Sequence, residues 1–147
     1  MSEHGEGCLF CRFSAESADR ANLILERGTG WFVIINRFPY TSGHVMVVCN
    51  RHVDRMSDFD LQEGAELMML LAKCERALTT AYAPDGVNVG ANLGRSAGAG
   101  IAGHFHMHLV PRWHGDTNFM SSVGETRVVS EDLNETYDKL RAALAAE

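Results

Sequence analysis

Between positions 104 and 108 three histidines alternate with apolar residues, His104-Phe105-His106-Met107-His108, and Leu109-Val110-Pro111-Arg112 follows. In an extended chain successive side chains point to opposite faces, so the three imidazoles share one face while Phe105, Met107 and Leu109 share the other. Same-face neighbours stand roughly 6–7 Å apart at a rise of about 3.3 Å per residue. A strand with one buried face normally carries Ser, Thr or Lys outward. Here that face carries the side chain that serves as nucleophile, acid, base and metal ligand near neutral pH. Two chemistries suit it: a three-histidine metal site, or attack of one imidazole on phosphorus with its neighbours managing charge. The preceding loop, Gly94-Arg95-Ser96-Ala97-Gly98-Ala99-Gly100, lets backbone N–H groups approach an anion and so favours phosphoryl or nucleotidyl transfer.

A second cluster of reactive side chains lies near the N-terminus. Cys8 and Cys11 form a C-x-x-C pair, half of a tetrahedral metal site or else a redox pair. Cys49 ends an apolar run and Cys74 falls in a helical pattern, as buried small hydrophobes do. No secretion signal is evident, so disulfides are not expected and the protein is expected in the cytoplasm. His4 and His114 sit in no motif and are expected in solvent.

The elements that must position these groups follow from periodicity. Asn22 to Glu26 and Trp31 to Asn36 read as a hairpin around Arg27-Gly28-Thr29-Gly30. Val45 to Cys49 is an apolar run of strand length, and Val87 to Asn92 alternates as a strand should. The glycine-rich loop joins that strand antiparallel to the histidine strand. From Asp58 to about Tyr82 apolar residues recur at helical spacing, with Ser57 or Asp58 as N-cap and Pro84 and Gly86 as the stop. Met68 and Met69 are expected in its core face. Asp132 to Ala146 reads as a terminal helix with Leu133, Tyr137, Leu140 and Leu144 on one face. Met120 to Val129 takes either reading. Without repeats or linkers, the 147 residues read as a single α+β domain, 1–147, with an antiparallel sheet of about five strands. A net charge of -6 argues against nucleic-acid binding, and no apolar run approaches the ~20 residues of a membrane span.

His104-Phe105-His106-Met107-His108-Leu109-Val110 resembles the His-φ-His-φ-His-φ-φ signature of the histidine triad (HIT) superfamily of nucleotide hydrolases and transferases. The likeness extends over Cys8-Leu9-Phe10-Cys11, Phe38-Pro39-Tyr40-Thr41-Ser42-Gly43-His44 and Asn92-Leu93-Gly94. Pro111-Arg112-Trp113 and Gly115-Asp116-Thr117-Asn118-Phe119 extend it toward a bacterial branch that includes diadenosine tetraphosphate phosphorylases and hydrolases, so it covers roughly 8–120.

The resemblance implies an HIT-like fold, a homodimer, and cleavage of a phosphoanhydride at the α-phosphorus of dinucleoside polyphosphates through a nucleotidyl-histidine. By that likeness His106 is the nucleophile, with His108 and His44 assisting. Asn36 would face the ribose, Ile35 and Phe38 the base, and Asn92 with the amides of Gly98, Ala99 and Gly100 the phosphates. It also implies a structural zinc on Cys8, Cys11, His52 and His104, and no organic cofactor. Nucleoside phosphoramidate hydrolysis and non-catalytic nucleotide binding are the alternatives within the family. Many hydrolases of the superfamily carry Gln at the position of Gly100. The phosphorylase-like relatives carry Ser there and an acidic residue at Gly103. These departures leave the acceptor open between water and phosphate.

Overall fold

The computed structural model describes residues 7–101, 103–117 and 131–147. Helices α1 (Leu9–Ala15) and α2 (Asp19–Asn22) lead into β1 (Ile24–Arg27), β2 (Trp31–Ile35) and β3 (Val45–Cys49). A 3-10 turn at Met56–Asp58 precedes the long helix α3 (Leu61–Tyr82). Then come β4 (Gly86–Gly90), a second 3-10 turn at Arg95–Ala97, β5 (His106–Arg112) and the C-terminal helix α4 (Leu133–Ala145). The strands form one antiparallel sheet in the order β1-β2-β3-β5-β4. This is the expected α+β architecture.

β2 and β3 are buried along their whole lengths, which explains why Trp31-Phe32-Val33-Ile34-Ile35 and Val45-Met46-Val47-Val48-Cys49 are continuous apolar runs rather than alternating ones. One face packs on α3 and α4: Val33 and Val45 meet Cys74, Ala77 and Leu78 of α3 and Leu140 and Leu144 of α4. On that side Trp31 stacks edge-on against Phe59 and Phe105 and donates Nε1–H to the Glu63 carbonyl at 3.0 Å. The opposite face carries Phe32, against which Phe10 of α1 packs. Register sets Val48 opposite His106 and Met46 opposite His108, so both histidines stand on the α1 face.

Several local expectations need correction. The cap of α3 is Asp60, whose Oδ1 accepts from Glu63 N at 2.8 Å while Glu63 Oε2 accepts from Asp60 N at 3.0 Å. Ser57 and Asp58 lie in the 3-10 turn before it, because the reciprocal capping box satisfies two amides where a lone Ser57 or Asp58 satisfies one. Met68 and Met69 are 65% and 68% exposed; the core stripe of α3 is Leu67, Leu71, Cys74, Ala77 and Leu78, narrower than the helix's apolar content. Asn22 belongs to α2, Leu23 caps that helix in a left-handed conformation, and β1 begins at Ile24, two residues later than expected. Cys49 and Cys74 are buried free thiols, as expected. His114 is exposed. His4, Met120 to Val129, Asn118 and Phe119 lie outside the described residues.

Candidate active site and metal centre

The histidine run starts before the ladder does. β5 begins at His106, yet the chain is already extended at Phe105, whose N–H donates to Val53 O at 2.6 Å and whose carbonyl accepts from Cys49 N at 3.3 Å. The rings share a face as the alternation requires: Phe10 lies 5.0 Å from the His106 ring and 5.5 Å from the His104 ring, and His108 lies 5.0 Å from His106.

Hydrogen bonds fix which nitrogen carries each proton. The His106 Nδ1–H donates to the carbonyl of His104 at 2.8 Å, so Nε2 keeps its lone pair. Burial lowers the His106 pKa and favours that neutral form. Tyr40 N–H donates to His44 Nδ1 at 3.1 Å, which leaves the proton on His44 Nε2. That nitrogen is 2.9 Å from His108 Nδ1 and donates to it, so the His108 proton is on its Nε2. Burial, then the neighbouring His106, pushes His108 down to about 4. His44 is fully buried. A lone pair on one imidazole and an N–H on the next thus stand side by side.

Both rings line a cavity of about 600 Å³, within the range of small-molecule sites. Its floor is apolar, with Phe10, Ile34, Ile35 and Met46 lining it beside the half-buried Asn36. Phe38, 76% exposed, stands at the rim. Asn36 Oδ1 accepts from Phe38 N at 2.9 Å, while its Nδ2 lies 3.5 Å from His44 Nε2 and donates to Met46 Sδ at 3.9 Å. Asn92, Gly98, Gly100 and Ile101 also line the cavity. The Asn92 amide holds the loop by donating to Gly98 O at 3.3 Å, and Gly98 takes φ +95 to make that turn. The expected nest of amides is reduced. Gly98 N donates to Arg95 O and Ala99 N to Gly94 O, and Ala99 is absent from the described lining.

The sequence reading assigned no element to 9–15, and so missed one wall of the cavity. Leu9, Arg12 and Phe13 of α1 line it with Phe10. A seven-residue helix is too short for apolar periodicity to announce; the signal was only the apolar residues around the C-x-x-C pair.

Cys8, Cys11, His52 and His104 converge, with their ligand atoms within 4.8 Å of one another. His104 Nδ1 lies 3.4 Å from Cys8 Sγ, 3.5 Å from Cys11 Sγ and 3.3 Å from His52 Nδ1, and Cys11 Sγ lies 3.3 Å from His52 Nδ1. Tetrahedral zinc with bonds of about 2.0–2.3 Å requires ligand separations of roughly 3.3–3.8 Å. The His104 Nε2–H donates to Cys49 O at 2.6 Å, leaving Nδ1 as a lone-pair donor oriented by its backbone partner. The donor set fits zinc. His106 and His108 face the cavity, so the triad does not gather on one ion.

Residues 20–115 match the HIT domain. The chain is 41% identical over 119 residues to proteins named AP-4-A phosphorylase from two strains of Mycobacterium tuberculosis, covering 81% of this chain and 61% of those relatives. It therefore spans about three fifths of their length. It is 26% identical over 144 residues to the Protein hit of Bacillus subtilis, covering 96% of this chain and 97% of that one. The crystal structure of a Zn-bound histidine triad family protein from Mycobacterium smegmatis is similar at a TM-score of 0.76 and 27% identity, over 95% of this chain and 94% of that one. With the sheet order, the triad and its cavity in place, the chain belongs to the HIT domain family.

Proposed function

We propose that this protein is a nucleotidyl hydrolase or transferase that cleaves dinucleoside polyphosphates at the α-phosphorus. The observation that carries the reading is the tautomer pattern: a lone pair on His106 Nε2 beside an N–H on His108 Nε2, both at the wall of a nucleotide-sized cavity. The similarity to AP-4-A phosphorylase supports the substrate class.

His106 Nε2 attacks the α-phosphorus, an N–P bond forms, and the P–O bond to the remaining polyphosphate breaks. The leaving polyphosphate departs as an anion and needs no proton. The His108 N–H stabilises it by hydrogen bonding as charge builds on the leaving oxygen, and His44 holds His108 in the required tautomer. Water or inorganic phosphate then attacks the same phosphorus. The N–P bond breaks, its electron pair returns to His106, and the acceptor's proton passes to solvent. A neutral His108 suits a phosphoanhydride better than a phosphoramidate, whose amine must be protonated to leave. Asn36 would bind the ribose, Ile35 and Phe38 the base, and Asn92 with the amide of Gly100 the phosphates. Zinc on Cys8, Cys11, His52 and His104 would be structural, its four protein ligands leaving no open position. The proposal includes a cytoplasmic homodimer without an organic cofactor. Among the described residues no helix is long and apolar enough to cross a membrane.

Product analysis with diadenosine tetraphosphate, with and without phosphate, tests the reading. ADP plus ATP dependent on phosphate identifies a phosphorylase, and AMP plus ATP without phosphate identifies a hydrolase. Equal turnover by His106→Ala, or none by the native chain, overturns the proposal.

A further inference from the structure

The short helix α1 has two sets of attachments. Its N-cap is Cys8, which makes no side-chain capping bond, and Cys11 lies within it. These two thiols meet His52, which follows β3, and His104, which precedes β5. At the other end Arg27 binds the last carbonyls, donating to Phe13 O at 3.0 Å, Ser14 O at 3.1 Å and Glu16 O at 2.6 Å. Between these attachments Phe10 inserts against His104 and His106. A helix this short does not hold itself in water. Its position is set by the burial of Phe10 and Phe13 and by what grips its ends.

The same helix is a wall of the cavity, which Leu9, Phe10, Arg12 and Phe13 line. The two functions alternate along the sequence, 8 and 11 toward the cluster and 9, 12 and 13 toward the cavity. We propose that Cys8, Cys11, His52 and His104 are positioning residues for nucleotide binding: by fixing α1 to the sheet they make nucleotide affinity depend on zinc occupancy. This rests on the nucleotide reading of the cavity. Losing the metal frees the N-terminal half of the wall, while Arg27 still holds its C-terminal end. The His106 Nδ1–H bond to the His104 carbonyl belongs to the strand backbone and does not need the ring nitrogen of His104 that faces the cluster. The effect therefore falls on binding before chemistry.

The test compares native protein, zinc-stripped native protein, His52→Ala and His52→Cys. Hydrogen exchange of the 9–15 amides and the dissociation constant for AMP are read for each. The expected result is at least tenfold faster exchange in 9–15 and at least tenfold weaker AMP binding in the stripped and Ala forms, with β2 and β3 amides unchanged. Zinc-loaded His52→Cys, which keeps four ligands, restores both. Unchanged exchange in 9–15 overturns the proposal, and so does uniform loss of protection across the sheet, which would make the cluster a general stabiliser. If native protein binds no AMP, the nucleotide reading fails and the dependence of affinity on zinc fails with it. Exchange in 9–15 then still reports whether the cluster holds the helix.

Discussion

The His106 imidazole is held by the carbonyl of His104, two residues back on the same extended run, at 2.8 Å. The first histidine of the triad thus does two things with different atoms. Its ring faces the two thiols, and its backbone sets the tautomer of the middle histidine. Because the contact is between near neighbours, it forms as soon as the strand is extended.

The pair His44 and His108 is the other determinant of the site. His44→Ala removes the acceptor of Tyr40 N–H and the donor to His108. We expect kcat to fall about 10²-fold. A stability loss of about 1 kcal/mol for the lost Tyr40 hydrogen bond should appear in denaturant unfolding. A variant with native kcat would remove His44 from the account.

The pH dependence follows from the low pKa of His108. The folded value is about 4, while an unfolded histidine titrates near ~6.5. Between these values the unfolded chain binds a proton that the folded protein does not. Stability therefore falls as pH drops from about 6.5 toward 4 and is unaffected by this group above 6.5. His108→Asn should flatten the melting-temperature profile across that window. For activity, the acid limb of kcat/KM due to His108 should lie well below pH 6.5; a limb at 6.5 assigned to His108 by substitution would contradict its burial.

Gly43 has φ +88, and a Cβ there would meet the Tyr82 ring at 2.9 Å. Gly43→Ala should cost about 1–3 kcal/mol from backbone strain and the clash. Because His44 follows directly, kcat should fall with stability. Equal stability of the two proteins, measured by thermal unfolding, would show that the turn relaxes.

Among the described residues no atom lies within 4 Å of where a Gly100 side chain would begin. Gly100→Gln should therefore fold with native stability and add a polar side chain to the lining of the cavity. The expected outcome is a lower ratio of phosphate-dependent to water-dependent turnover. An unchanged ratio would mean that this position does not select the acceptor.

Which parts were legible in the sequence follows from the range of each interaction. The histidine face could be read because a strand's period of two is unambiguous over five residues, and the register of β5 against β3 preserved it. Cys8, Cys11, His52 and His104 were named through family likeness, and the chain does bring them together. The capping box at Asp60 and Glu63 was also written locally, but Ser57 and Asp58 offered competing caps. The exposure of Met68 and Met69 was not legible, since apolar content does not say how wide a stripe the sheet will cover. Nor was the cavity wall at Leu9, Arg12 and Phe13, which depends on Phe10 and Phe13 packing into the core and on Arg27 binding the helix's last carbonyls, contacts between residues far apart in sequence. The internal bonds of the 94–99 loop escaped for a related reason: glycine announces freedom, not which amides the turn itself consumes.

The most direct test of the central claim is to trap the intermediate. Protein mixed with α-phosphate-labelled diadenosine tetraphosphate is quenched with alkali, where a phosphoramidate survives, and digested for peptide mapping. The account predicts one labelled adenylyl group per active site on the peptide bearing His106, formed before product and absent from His106→Ala. Turnover without label on that peptide, or label retained in His106→Ala, would contradict it.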